Sequence, residues 1–202
     1  MAGVKKTSIL SPDFFERDPL LCARDLIGMQ LTHRECSGRI IETEAYHEVG
    51  DPACHLFTRP SAWEFVRQYP PGTAYVYLNY GVHWLVNVLT CDPASGTSGF
   101  VLFRALEAVA GIPLMEERRG TNDPRRLCSG PGKLTSALGI GQGHHGQPLT
   151  SRADFCLHLP PSPAPAGVVT DRRIGISAAK DLPWRFLEKD HPGVSVPFGK
   201  AR

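Results

Sequence analysis

The sequence predicts a single α+β domain spanning residues 1–202, with a curved, mostly antiparallel sheet, a protruding β-hairpin and short peripheral helices. Three observations carry this. Arg39–Tyr46 reads RIIETEAY, a β-branched run whose period of two puts Glu42, Glu44 and Tyr46 on one face of a strand. Ala74–Asn87 reads AYVYLNYGVHWLVN, two apolar-alternating strands around a tight Tyr80-Gly81 turn. Eighteen prolines and twenty glycines favour a loop-rich fold over a helical bundle.

The elements follow in order. Residues 1–10 read as a short flexible tail. Ser11-Pro12 and Asp18-Pro19 each look like a helix start, a capping side chain with proline in the first turn. Gly28 closes the second of these helices. Met29–Cys36 and Arg39–Tyr46 pair as a hairpin across Ser37-Gly38. His47–Thr73 reads as one long loop, a length that is often functional. Ala74–Thr90 is the second hairpin. Gly99–Val109 is a further strand with Leu102, Arg104 and Leu106 on one face. Ser129–Leu138 is a short helix opened by Gly-Pro-Gly. Pro160–Gly167 is a loop too short to separate domains. Val168–Ile176 is the last predicted strand, and nothing after Pro183 signals a definite element. There is no internal repeat.

A chain of 202 residues can bury one sizeable core. Its net charge of +2 selects no partner, because a basic face can be balanced by acids elsewhere. The six cysteines stand far apart with no C-x-x-C pair, which suits reduced thiols better than a zinc site or a disulfide scaffold. No long apolar run marks a signal peptide or a membrane span.

The residues that suggest chemistry sit in the two strand motifs. A carboxylate alternating with an aromatic, opposite a hairpin rich in tyrosine, makes a poor core. It suits a pocket that stacks a flat ring beside an acid–base group. Arg104, inside the apolar run VLFRALE, needs a carboxylate or carbonyl partner if buried. Ser129, Gly130 and Lys133, at the start of a helix, could meet a phosphate, although the motif is not a full nucleotide-triphosphate loop. His144-His145 cannot make a metal site alone. No metal and no cofactor is expected.

ETEAY at Glu42–Tyr46, His55, YVYLNYG at Tyr75–Gly81, Asn87, FRALE at Phe103–Glu107 and LCSGPGKL at Leu127–Leu134 together resemble the alkyladenine (3-methyladenine) DNA glycosylase family, in order and spacing, across nearly the whole chain. The resemblance implies a base-excision-repair enzyme that flips alkylated, and also deaminated, purines out of double-stranded DNA and hydrolyses the N-glycosidic bond to leave an abasic site. It implies that Glu44 activates the attacking water, helped by Arg104 and by a backbone carbonyl within Arg173–Ser177. Tyr46, His55 and Tyr77 would sandwich the extruded base, Asn87 would crowd guanine's exocyclic amine, and Tyr80 would wedge into the duplex. Glu42 has a supporting or structural role. The enzyme would be a monofunctional monomer, cytoplasmic and nucleoid-associated in a bacterium or nuclear in a eukaryote. One segment departs from the family: LFTRPSAWEFVRQYPP carries Trp63 and Glu64 where an arginine and a small polar residue are usual, leaving Arg59 and Arg67. Two other classes share some of these features. A hydrolase of free nucleosides or carbohydrates would give Tyr80 no task at an exposed tip. A silent binding module would not need both Glu44 and Arg104.

Overall fold

The computed structural model describes residues 8–151, 154–160 and 167–201. After a single 3-10 turn at Pro12–Phe15 come α1 (Pro19–Asp25), β1 (Gln30–His33), β2 (Cys36–His47), α2 (His55–Thr58), α3 (Pro60–Gln68), β3 (Ala74–Asn79), β4 (His83–Asp92) and β5 (Thr97–Ala110). There follow α4 (Ile112–Arg119), α5 (Pro124–Leu127), α6 (Pro131–Leu138), a 3-10 turn at Gln142–His144, β6 (Phe155–His158), β7 (Val168–Asp171) and β8 (Arg185–Glu188). The strands form one antiparallel sheet in the order β3-β4-β5-β2-β1-β6, with β8 joining β2 and β7 joining β8. The α+β class, the antiparallel sheet, the projecting hairpin and the short helices all stand as the sequence implies.

The pivot is β2. Its twelve residues pair with β5 along one edge, while the other edge is shared between β1 at Cys36–Arg39 and β8 at Glu42–Glu44. Register shifts leave Ile41 on β2 and Arg104 on β5 as extra residues in the ladder. Such bulges bend a strand and re-aim its side chains. Here they also reverse the in–out phase, since a slip of one residue exchanges the faces. Ile40 and Leu106 point into the main core before the bulges, and Ala45, Val101 and Phe103 do so after them. Arg104 and Leu102 turn to the opposite face and line a cleft. Leu106 therefore does not share a face with Leu102 and Arg104, contrary to the simple alternation.

That alternation holds elsewhere and divides the interior in two. Val76, Val86, Val88, Val101 and Phe103 meet α1, α4 and α6 in the main core. On the other face Tyr75, Leu89 and Phe100 pack with Cys54, Leu56, Ala62 and Phe65, which come from α2, α3 and the turn before them. Asp18 caps α1 as its Asp-Pro signal implies, accepting from the N–H groups of Leu20 and Leu21. The same helix approaches the sheet at Gly99, where a Cβ would come within 2.7 Å of Pro19.

Several expectations need correction. Residues 8–10 are not a tail: Leu10 is buried and donates its N–H to Leu157, and Ile9 bridges to His158. Ser11 makes no side-chain cap. The first hairpin turns at Arg34-Glu35, with Arg34 in the left-handed region, and not at Ser37-Gly38. Gly38 lies in β2 for a different reason: a Cβ there would sit 2.8 Å from that of Leu106. His47–Thr73 is not structureless, because α2 and α3 lie within it. The strand from Val168 stops at Asp171, and a further strand, β8, follows Pro183. Most of the Pro160–Gly167 loop lies outside the described residues.

Candidate active site

A cleft of about 480 Å³ opens on the second face of the sheet. Its walls come from β2 (Tyr46), α2 and its C-terminal end (His55, Arg59), β3 (Tyr75, Tyr77), β4 (Asn87), β5 (Leu102, Arg104) and the segment Ile174–Ser177. Tyr80 stands at one rim. Sequence reasoning scattered these residues over 130 positions, and the sheet brings them together.

Glu44 lies fully buried behind this surface. Three donors converge on its carboxylate: the Tyr46 hydroxyl at 2.8 Å, an Arg104 guanidinium nitrogen at 3.3 Å and the Ile174 N–H at 2.7 Å. The first partner follows from the strand itself, since residues i and i+2 share a face. Burial, and next the charge of Glu44, hold the Tyr46 hydroxyl well above its ordinary pKa, so it remains a donor. Arg104 lies between two carboxylates, its Nε 3.4 Å from Glu42. Burial works against its charge, but Glu44 and Glu42 more than offset this, and its pKa is raised. The bulge at Arg104 is what turns the guanidinium toward Glu44.

Glu42 sits in a buried network. It accepts from Arg185 at 2.9 Å, from the Ser195 N–H at 2.6 Å and from the Ser195 hydroxyl at 2.8 Å. Arg185 also bonds Asp171. A second buried pair joins Arg173 to Asp51 through two bonds of 2.6 and 2.7 Å, and Arg173 also donates to the Ala45 carbonyl. Sequence reasoning missed Asp51, Asp171, Arg185 and Ser195. The signal for Arg185 was a charge inside PWRFLE, the same kind that singled out Arg104. Ser195 carried no signal, because its N–H matters as much as its side chain.

The aromatic walls are coupled. His55 packs edge-on to Tyr77 with centroids 4.5 Å apart, and its Nδ1 lies 3.2 Å from the Tyr75 hydroxyl. Asn87 donates to the Tyr75 carbonyl at 3.2 Å. Burial, and next the nearby Arg59, lower the His55 pKa from 6.5 to about 4. A lowered histidine pKa means that the unfolded chain takes up the proton first. The stability that His55 contributes is complete above pH 6.5 and is lost as the pH falls toward about 4. Urea midpoints across this window should drop on acidification, and the drop should be shallower for His55→Gln. Equal slopes for the two proteins would remove His55 as the cause.

Tyr80 is 89% exposed and, with Gly81, adopts positive φ in the turn that Val82 N–H closes onto the Asn79 carbonyl. Two left-handed residues match the twist of the flanking strands, but Tyr80 is not a residue that usually tolerates this conformation. Leu78 and Val82 are exposed beside it, so the tip is an apolar projection. Gly130 and Lys133 line a groove of about 320 Å³ that adjoins the cleft and shares Asn79, Leu85 and Pro131 with it. Ser129 enters only through its hydroxyl, which accepts from Lys133 at 3.3 Å. Among the described residues no group of three or more His, Cys, Asp or Glu side chains could hold a metal ion, and no helix is long and apolar enough to cross a membrane.

The cleft thus has a buried carboxylate–arginine pair beneath it and an exposed tyrosine at its rim. The family profile described as methylpurine-DNA glycosylase matches residues 13–192. A protein of Rhodopseudomonas palustris, provisionally named 3-methyladenine DNA glycosylase, is 45% identical over 190 residues, covering 94% of this chain and 89% of its own. Similar proteins with the same provisional name occur in Nitrosospira multiformis (47% identical, covering 87% of this chain and 88% of its own) and Methanoculleus marisnigri (46%, covering 90% and 96%). The chain belongs to the methylpurine-DNA glycosylase family, and so to the DNA-repair glycosylases.

Proposed function

We propose that this enzyme excises damaged purines, alkylated and also deaminated, from double-stranded DNA by hydrolysis of the N-glycosidic bond. The convergence of Tyr46, Arg104 and the Ile174 N–H on the buried carboxylate of Glu44, directly behind an aromatic cleft, carries this reading. Cleavage of such a bond develops positive charge on the sugar. A carboxylate near the anomeric carbon stabilises that charge and takes a proton from the attacking water. Arg104 positions Glu44, and Ile174 lies in the Arg173–Ser177 segment expected to offer the water a carbonyl. Tyr46 on one side and His55 with Tyr77 on the other form a slot for a flat base. Asn87 at the floor opposes a purine with an exocyclic amine at that edge. Gly130 and Lys133 in the adjoining groove, with Ser129 holding the Lys133 ammonium, suit a strand phosphate. The nucleophile is water, and among the described residues no lysine lines the cleft, so no covalent sugar adduct and no strand cleavage follow.

The reading is tested with duplexes that each carry one lesion. Incubation followed by hot alkali should give scission at the lesion only, incubation without alkali should give none, and borohydride should trap no enzyme–DNA adduct. Scission of undamaged duplex, or a trapped adduct, would contradict it.

Tyr80 supplies a separate prediction. Extruding a base costs a few kcal/mol of stacking and pairing. An apolar side chain filling the gap slows the return of the base. Tyr80→Ser should therefore slow excision of a stably paired lesion more than of a mismatched one, and leave a single-stranded substrate nearly untouched. Equal loss on all three substrates would reduce Tyr80 to a packing role.

A further inference from the structure

Two of the tyrosines that line the cleft carry an arginine. The guanidinium carbon of Arg59 lies 5.0 Å from the centroid of the Tyr77 ring, and that of Arg173 lies 4.6 Å from the centroid of Tyr46. The two arginines are not equivalent. Arg173 is buried in a two-bond pair with Asp51, which cancels its charge. Arg59, at the C-terminal end of α2, lines the cleft and is partly exposed. Among the described residues no carboxylate pairs with it, while every other charge at the cleft floor, Arg104 and Glu44 included, is matched.

An aromatic ring attracts a cation through the negative charge of its face. On Tyr77 the guanidinium of Arg59 already takes up that attraction, and its charge opposes a second cation brought to the same wall. His55 beside it offers no compensating charge. Damaged purines differ in this respect. A purine methylated at N3 or N7 is cationic while attached to its sugar, whereas hypoxanthine and ethenoadenine are neutral.

We propose that Arg59 makes this pocket discriminate among damaged purines by charge, binding neutral lesions in preference to cationic ones. The proposal rests on the glycosylase reading above and specifies its substrate class. A cationic base is still removed, because its own charge weakens the bond to the sugar. The discrimination therefore acts on binding and appears in the half-saturating concentration, with the maximal rate little changed.

The test compares the parent enzyme with Arg59→Gln and Arg59→Lys on two duplexes, one with a single 7-methylguanine and one with a single hypoxanthine, under single-turnover conditions. Arg59→Gln should raise the ratio of cationic to neutral excision at subsaturating enzyme by roughly tenfold, through a lower half-saturating concentration for 7-methylguanine. Arg59→Lys, which keeps the charge, should stay near the parent ratio. An equal loss on both duplexes would make Arg59 a backbone-phosphate contact and overturn the proposal, as would an unmoved ratio. A parent enzyme that excises neither lesion would instead overturn the glycosylase reading, and the proposal with it.

Discussion

Glu44→Gln should abolish excision while leaving the fold and lesion binding intact. The amide is nearly the shape of the carboxylate: with its oxygen in the place of Oε1 it still accepts from the Ile174 N–H, and its NH2 can donate to the Tyr46 hydroxyl oxygen, the two partners lying 2.7 and 2.8 Å away in the parent protein. What is lost is the proton acceptor and the negative charge opposite the developing oxocarbenium. Loss of a positioned base alone is worth about 10²–10⁴-fold in rate, and the lost electrostatic stabilisation adds to it. The measurement is single-turnover release of the base, with binding to a single-lesion duplex followed in parallel. Excision within a few-fold of the parent rate would remove Glu44 from the chemistry. Loss of binding as well as excision would show that the substitution had damaged the cleft, and Glu44→Asp would then be the variant to compare.

Asp51→Ala should be the most destabilising single change at the site. Asp51 and Arg173 are both fully buried, and the substitution leaves the Arg173 guanidinium without its counter-charge in a region closed to water. Breaking a buried pair from one side costs about 3–5 kcal/mol. For a chain of this size that is roughly 10 °C of melting temperature. The loss should also reach the chemistry, since Arg173 packs on the Tyr46 ring and Tyr46 donates to Glu44. Replacing both partners, Asp51→Leu with Arg173→Met, should recover much of the melting temperature because no unpaired charge remains. A single variant that melts within two or three degrees of the parent would show that the pair contributes little, and thermal melts with single-turnover rates separate the two effects.

The parts of this site that were legible in the sequence share a cause: they rest on local periodicity. Glu42, Glu44 and Tyr46 alternate on a regular strand, and the same face meets the cleft. Tyr80-Gly81 reads as a turn because two residues between alternating strands leave few other conformations. The misread parts are those where a tertiary contact overrides the local signal. Gly38 looks like a turn residue, but the sheet needs its missing Cβ so that Leu106 can approach. Arg34, which takes the left-handed turn position instead, is not a residue that announces one. The phase reversal at Ile41 and Arg104 arises only when two strands are laid side by side. Two partners of Glu42, Arg185 and Ser195, come from a four-residue strand and a loop, too short for periodicity to mark them. Membership of the family was readable because several spaced motifs agree, while the charge environment of Tyr77 needed coordinates.

The order in which the chain is made bears on when its carboxylates become safe. Glu42 and Glu44 lie in the first quarter of the sequence, yet Ile174, Arg185 and Ser195, which hold them, come from the last. During synthesis β2 can pair with β5 long before β8 exists, so the two carboxylates wait with only Tyr46 and Arg104 to hold them. Closure demands contacts more than 120 residues apart, the kind that form late in folding. The proposed catalytic centre is thus among the last parts of the molecule to assemble. On the proposed mechanism, an incomplete chain would meet DNA before the carboxylate needed for excision is held in place.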